Sequence, residues 1–323
     1  MRIRRLLSMS IGALWCLTGS GVLLADDYPV QPIKVIIPNP PGGPGDIIAR
    51  AFTERAARIV GKPFVYDYRP GASTMIGMAA AAKSEPDGYT IVGLPSSAVS
   101  AVAIRKSARY NIETDFRPIA GIGSVPLVLV VRSGLKLGSM DDFIVGARNG
   151  NLTFGSGGVG TIGHLTSLLL LNNVNGRATH VPFRGNPDVL QAILGAHVDF
   201  GVVSVADAIP FISSAEVQFL AVTADTRIPA MPDVPTMKEV GLPNVDAKLW
   251  YAFLAPRDTR QERITKLYKS FADAAEDPLL QDQVKSLGFK VELRNSQELA
   301  DMMKGELARW RRVIDANNVP FEE

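Results

Sequence analysis

At 323 residues the chain exceeds the size at which one hydrophobic core usually stops growing, so two domains are expected, and 46 % hydrophobic with 20 % charged residues fits a globular protein. Taking Arg2, Arg4 and Arg5 of the N-terminal leader from the 34 Lys and Arg leaves 31 against 32 Asp and Glu, a balance that excludes nucleic acid as a partner. The sole cysteine, Cys16, lies in that leader, so beyond it disulfides, thiol catalysis and cysteine metal sites are excluded.

Residues 1–25 combine those three arginines with an apolar run from Leu6 to Leu24 and end at Ala25, the pattern of a secretory signal peptide. A membrane anchor is the rival reading, because about 19 apolar residues can just span a bilayer. Ser8, Ser10, Gly12, Thr18, Gly19, Ser20 and Gly21 weaken such a span, and bulky Trp15 before Cys16 argues against a lipid-modified cysteine. A periplasmic location is expected.

Ile33, Lys34, Val35, Ile36 and Ile37 read as a buried strand that breaks into Pro38-Asn39-Pro40-Pro41-Gly42-Gly43. Asp46 is the expected N-cap of a helix carrying Ile47, Ile48, Ala51 and Phe52 on one face. A glycine-rich loop running into a helix start gathers free backbone N–H groups where the helix dipole favours negative charge. The same arrangement recurs at Gly71-Ala72-Ser73-Thr74, after a strand at residues 64–68 and before a helix at 74–85. It recurs again at Gly155-Ser156-Gly157-Gly158-Val159-Gly160-Thr161, after a strand at 152–154 and before a helix carrying His164 and Leu165. Three such loops point to one shared anion site.

Between the second and third loops come a strand at 89–94, a polar tip at Pro95-Ser96-Ser97, two β-prone runs at 119–122 and 127–131, and a helix near 139–148 capped by Ser139. Beyond the third loop follow a strand at 178–182, the turn Phe183-Arg184-Gly185-Asn186-Pro187, a helix at 188–194, and strands at 198–203 and 217–222. Residues 225–244, with Pro229, Pro232, Pro235 and Pro243, read as a return connection to a strand at 249–254. The remainder, 258–315, is expected to be helical, with a strand candidate at 289–293 and Trp310 and Ile314 as apolar anchors.

The resulting expectation is an α/β protein in which residues 26–123 and 224–323 form a discontinuous first domain and 124–223 a second. Two crossings between them make a hinge, and ligands in such folds sit in the cleft where the loops gather.

Among chemical candidates, Gly155-x-Gly157-x-x-Gly160 matches a dinucleotide fingerprint, but no acidic residue lies between Asn151 and Pro187 to hold a ribose. A role for those glycines in helix–strand packing alone competes with an anion held by amides and the Ser156 and Thr161 hydroxyls. Ser156 and His164 raise the alternative of a secreted hydrolase, although no Gly-x-Ser-x-Gly elbow occurs. His164, His180 and His197 show no metal-ligand spacing, and no metal or cofactor is expected. Arg50, four residues after Asp46, is expected to pair with it, and Arg184 is the other cation near the loops.

Six motifs now carry a resemblance: Pro41-Gly42-Gly43 with Asp46 and Ala49-Arg50, Arg69-Pro70-Gly71-Ala72, Pro86-Asp87-Gly88-Tyr89-Thr90, Ser156 to Thr161 with His164-Leu165, Val181-Pro182-Phe183-Arg184-Gly185, and Pro232-Asp233-Val234-Pro235-Thr236 with Glu239 and Gly241. In this order, from about Tyr28 to Trp310, the chain resembles the extracytoplasmic solute-binding proteins of tripartite tricarboxylate transporters, the Bug proteins. The resemblance implies a two-domain periplasmic-binding-protein fold, type II-like and of the Venus-flytrap kind. It implies capture of a small organic carboxylate in the cleft and delivery to membrane permease subunits, by a chain expected to be monomeric. A ligand sensor using the same cleft is a variant of that reading.

Carried over residue by residue, the resemblance implies ligand contacts from Pro41, Gly42, Gly43, Ala72, Ser156, Gly158, Thr161 and His164. Asp46 is implied either to touch the ligand or to brace its loop. Ser73, Ser96 and Arg184 join them as candidates from their position at loop tips. Ser73-Thr74 replaces the usual Gly-Gly, Phe183-Arg184 replaces Tyr-Lys, and Asn39 replaces an apolar residue, departures that bear on ligand identity.

Overall fold

The structure, a computed structural model, describes residues 27–105, 108–135 and 138–320. The expected signal peptide lies outside the described residues. The first half begins with β1 (Ile33–Ile37), α1 (Pro44–Val60), β2 (Phe64–Tyr68), α2 (Met75–Ala82), β3 (Thr90–Pro95) and α3 (Ser97–Ala103). Strand β4 (Phe116–Arg132) then leads to α4 (Met140–Asn149), β5 (Leu152–Ser156), α5 (Ile162–Asn173), β6 (Ala178–Pro182), α6 (Asn186–Leu194), β7 (Phe200–Ser204), α7 (Val205–Ala208) and β8 (Val217–Val222). Strand β9 (Lys248–Pro256) returns to α8 (Gln261–Ala275), α9 (Pro278–Ser286), β10 (Lys290–Arg294) and α10 (Ser296–Ala316).

The two β-prone runs around 119–122 and 127–131 are one continuous 17-residue strand, β4, not two. Its first part pairs antiparallel with β9 as far as Pro126 opposite Lys248, and with β10 at Gly121, Gly123 and Ser124. From Leu127 onward it pairs antiparallel with β7, and from Val128 with β8. The strand order is therefore β2-β1-β3-β9-β4-β10 at one end of β4 and β8-β4-β7-β5-β6 at the other. The partner switch falls between Pro126 and Leu127. A bonded pair marks it: Leu127 N–H donates to Thr223 Oγ1 at 2.8 Å and Thr223 N–H to Leu127 O at 2.9 Å.

Alternation along β4 explains the layering. Leu127, Leu129 and Val131 join a buried cluster with Met78, Phe143, Phe154, Leu165 and Trp310, from α2, α4, β5, α5 and α10. Val128 and Val130 face the other way and pack with Ile48, Phe52, Ile193 and Phe271, from α1, α6 and α8. A stretch that is apolar at every position, as at residues 125–131, needs cover on both faces, and helices supply it.

Two sequence expectations are corrected. The tip at Ser96-Ser97 runs straight into helix α3, whose Ala98, Val99, Ala101 and Val102 are buried and which packs on α10; small residues that look like a loop are the requirement of close helix–helix approach. Asp46 is not the N-cap of α1, a position taken by Gly43 with Pro44 as the first helical residue. Among the described residues no helix is long and apolar enough to cross a membrane.

Phe253 on β9 is fully buried and stacks on Phe271 with ring centroids 4.4 Å apart. Replacing Phe253 with Ala should lower stability by about 3–5 kcal/mol, measured by urea unfolding.

Candidate functional site

The loop after β1 is held from beneath by one carboxylate. Asp46, 3 % exposed, accepts from Gly42 N–H at 2.8 Å, from Arg50 Nε at 3.0 Å and from the Tyr68 hydroxyl at 2.8 Å. Arg50 in turn lies over the Tyr66 ring at 4.0 Å and touches the Tyr68 hydroxyl. Asp46 is thus occupied as a brace three residues inside the helix, and Arg50 is its partner. Gly42, at φ +80°, occupies backbone space that suits glycine, whereas Gly43, at −75°, does not need it. Gly42 N–H is spent on Asp46. The N–H groups of Gly43 and Gly45 make no hydrogen bond among the described residues and sit at the positive end of α1.

The loop after β2 is strained. Gly71 (φ +125°), Ala72 (+46°), Ser73 (+50°) and Thr74 (+78°) are four successive residues in left-handed space, and three of them carry a Cβ. Each non-glycine residue held there costs about 1–3 kcal/mol, with a β-branched one among the worst placed. The turn leaves the N–H groups of Ala72, Ser73 and Thr74 without a bond among the described residues. Helix α2 seats this loop beside the first one, because a Cβ on Gly77 would lie 2.8 Å from Pro38 Cα and 2.9 Å from Arg69 O.

The third loop is tied by its own side chains. Ser156, 1 % exposed, donates its hydroxyl to Gly158 O at 3.0 Å and stands 2.7 Å from His180 Nε2. Thr161 Oγ1 donates to Gly158 O at 2.8 Å and accepts from His164 N–H as the cap of α5. Gly160 N–H donates to His164 Nδ1 at 3.2 Å. The His164 and His180 rings meet at a tilt with centroids 4.1 Å apart, and His180 stacks on Phe154 at 4.8 Å. Gly158 and Gly160 have φ of +120° and +74°, and a side chain on Gly160 would strike Ile104, next to α3 in the other half. The N–H groups of Gly157 and Val159 make no bond among the described residues.

The remaining candidates lie at the margins. Arg184 is exposed, in the turn whose Gly185 Cα would lie 3.2 Å from a Cβ on Gly157. Ser96 is buried, and its Oγ accepts from Trp250 N–H at 3.3 Å, so its hydroxyl serves the join between β3 and β9. Pro41 and Ser73 are exposed at their loop tips. His180 was not among the candidates; only the β5–β6 register, which sets Phe154 opposite His180, brings it to Ser156. Hollows of about 600 Å³ beside Ile112 and Met303 and about 410 Å³ beside Asn172 and Arg312 are lined by none of the candidate loops. Among the described residues no three His, Cys, Asp or Glu are grouped to hold a metal ion.

Two α/β halves strung on one strand, with three amide-bearing loops at strand ends, define a ligand-binding protein of the periplasmic solute-binding class. Residues 48–319 match the tripartite tricarboxylate transporter family receptor, TctC, and the chain belongs to that family. The chain is similar to protein BugT of Bordetella pertussis (strain Tohama I), 31 % identical over 97 % of this chain and 98 % of that one. Its fold is similar to MatC from Rhodopseudomonas palustris with bound malate, at TM-score 0.75 and 29 % identity, covering 89 % of this chain and all of that one. A second R. palustris protein, solved with adipate, superposes at TM-score 0.78 and 28 % identity, covering 90 % and 98 %.

Two outcomes test the site's construction. Thr74→Gly should raise stability by about 1 kcal/mol by removing a strained left-handed residue, measured as the urea midpoint at unchanged m-value. Burial pulls His164 down to about 3, with the neighbouring His180 adding to it, and burial pulls His180 down to about 4. Both lie below the usual histidine value of about 6.5, so the unfolded chain binds more protons across that interval. Stability should therefore fall as pH drops from about 6.5 towards 3, and His180→Gln should flatten part of that slope in calorimetric scans.

Proposed function

We propose that this receptor resides in the periplasm, closes as a monomer around a small organic carboxylate, releases it unchanged and hands it to the permease subunits of a tripartite transporter. The observation that carries the reading is that all three loops offer unbonded backbone N–H groups, at Gly43 and Gly45, at Ala72 to Thr74, and at Gly157 and Val159. Side chains from beneath hold two of those loops, through Asp46 and through Ser156, Thr161 and His164. Such donors suit an anion that must bind and leave, since a carboxylate held by oriented amides needs no buried cation. Relatives of the same family bound to malate and adipate support the ligand class. In this reading residues 27–126 with 248–320 move as one domain and 127–223 as the other, with the segment 224–247 and β4 as the two crossings.

A hydrolase reading draws on the 2.7 Å contact of Ser156 with His180. That serine is buried, gives its proton to Gly158 O, and has a histidine without a carboxylate partner among the described residues, so the pair reads as a brace. A thermal-shift screen of organic acids, followed by calorimetric titration and recovery of the ligand, tests the assignment: saturable binding with chemically unchanged acid supports it, and a transformed acid overturns it.

Gly42→Val should weaken the best acid by tenfold or more, because a β-branched residue at φ +80° displaces the loop that aims the Gly43 amide. Arg184→Ala should weaken it by only about threefold and reduce the salt dependence, as expected of an exposed cation. Titrations of both variants at two salt concentrations separate the amide-loop mechanism from one based on a side-chain cation.

A further inference from the structure

The carboxylate that braces the first loop stands where a bound acid meets its charge. Asp46 is buried and accepts from Gly42 N–H at 2.8 Å, one peptide before the unbonded N–H of Gly43 and four residues into the loop that also carries Gly45. An acid held by those amides would sit within about two residues' reach, ~7 Å, of that carboxylate. Two like charges so placed in a partly shielded site repel enough to weaken binding roughly tenfold or more. A neutral side chain would avoid the repulsion. A carboxylate, however, serves three donors at once through charge-assisted bonds, since Arg50 Nε at 3.0 Å and the Tyr68 hydroxyl at 2.8 Å reach it besides Gly42.

Among the described residues bonded to Asp46, Arg50 alone carries a charge. Burial raises the Tyr68 phenol above its ordinary value, and the bond to Asp46 raises it further, so Tyr68 is a neutral donor. Arg50 is also gripped from its other sides. Its guanidinium touches the Tyr68 hydroxyl and lies 4.0 Å from the centre of the Tyr66 ring, whose own hydroxyl is 2.6 Å from Thr53 Oγ1. The cation is thus engaged with the carboxylate and the two tyrosines. At the third loop Ser156, Thr161, His164 and His180 carry no charge at neutral pH, since burial holds both histidines far below it. The side chains bonded to the first and third loops therefore sum to zero charge.

Resting on the function proposed above, we infer that Arg50 is a positioning residue that cancels the charge of Asp46, so that a loop anchored by a carboxylate can receive a carboxylate. Arg50 acts on the ligand through Asp46 alone. This role ties affinity to the summed charge of the pair, lowest at minus one, higher at zero and highest at plus one. A purely structural pair instead ranks the parent first and the double variant last. A direct ion pair between Arg50 and the acid makes every variant without Arg50 equally weak.

The test is calorimetric titration of the full protein at low salt with malate, adipate and the tightest-binding acid of the wider screen. Arg50→Gln, which keeps an amide donor and removes the charge, should weaken the acid by about tenfold. Adding Asp46→Asn, which still accepts from Gly42 N–H, should restore affinity to within about threefold of the parent. Asp46→Asn alone leaves the cation unopposed and should bind at least about threefold more tightly than the double variant. Parent-like binding by Arg50→Gln, a double variant as weak as Arg50→Gln, or an Asp46→Asn protein no tighter than the double variant overturns the inference while leaving carboxylate binding intact. If Arg50→Gln does not fold, the double variant decides, because it buries no charge: a loss of more than about threefold against the parent overturns the inference. Absence of binding by any acid in the wider screen overturns the carboxylate reading itself, and the inference with it.

Discussion

Everything in this molecule hangs on the register of one strand. The segment Phe116–Arg132 pairs with β9 and β10 over its first part and with β7 and β8 over its second, so both halves of the chain are aligned by a single backbone. It can do this because consecutive side chains are apolar on both faces, which lets helices cover the sheet above and below without interruption. The switch at Pro126–Leu127 is closed by Thr223 and lies beside Lys248, the first residue of β9, whose ammonium meets Asp225 at 2.7 Å. Both passages of the chain between halves therefore run side by side.

The site divides its labour between backbone and side chains. Asp46, Ser156, Thr161, His164 and His180 are engaged with one another or with loop backbone. What these loops leave without a bond among the described residues is mainly peptide N–H. Amides fixed in this way recognise an oxyanion by geometry while carrying no full charge of their own, which fits a receptor whose relatives hold ligands as different as malate and adipate.

The turn at Ala72-Ser73-Thr74 belongs to the same logic. Left-handed backbone at three residues bearing Cβ atoms is retained although glycine would relieve it, and strain of this kind concentrates at ligand clamps. The hydroxyls of Ser73 and Thr74 belong to a loop that leaves three consecutive amides without a bond among the described residues.

The α/β class, the three glycine-rich loops and the six family motifs were legible in the amino-acid order, because periodicity, turn chemistry and motif spacing are local properties of the chain. Local rules also located Ser139 as a cap and the Arg50–Asp46 pair, since both depend on residues three or four apart. They misplaced the cap of α1, where Gly43 and Pro44 outcompeted Asp46, and read Ser96-Ser97 as a tip without the helix that starts there, because the burial that stabilises α3's small residues comes from α10, nearly two hundred positions later. Tertiary structure alone decided that two β-runs are one strand and that His180 stands against Ser156. Those contacts join residues whose separation along the chain carries no signal; strand register and helix packing bring them together, and neither is encoded within a window of a dozen residues.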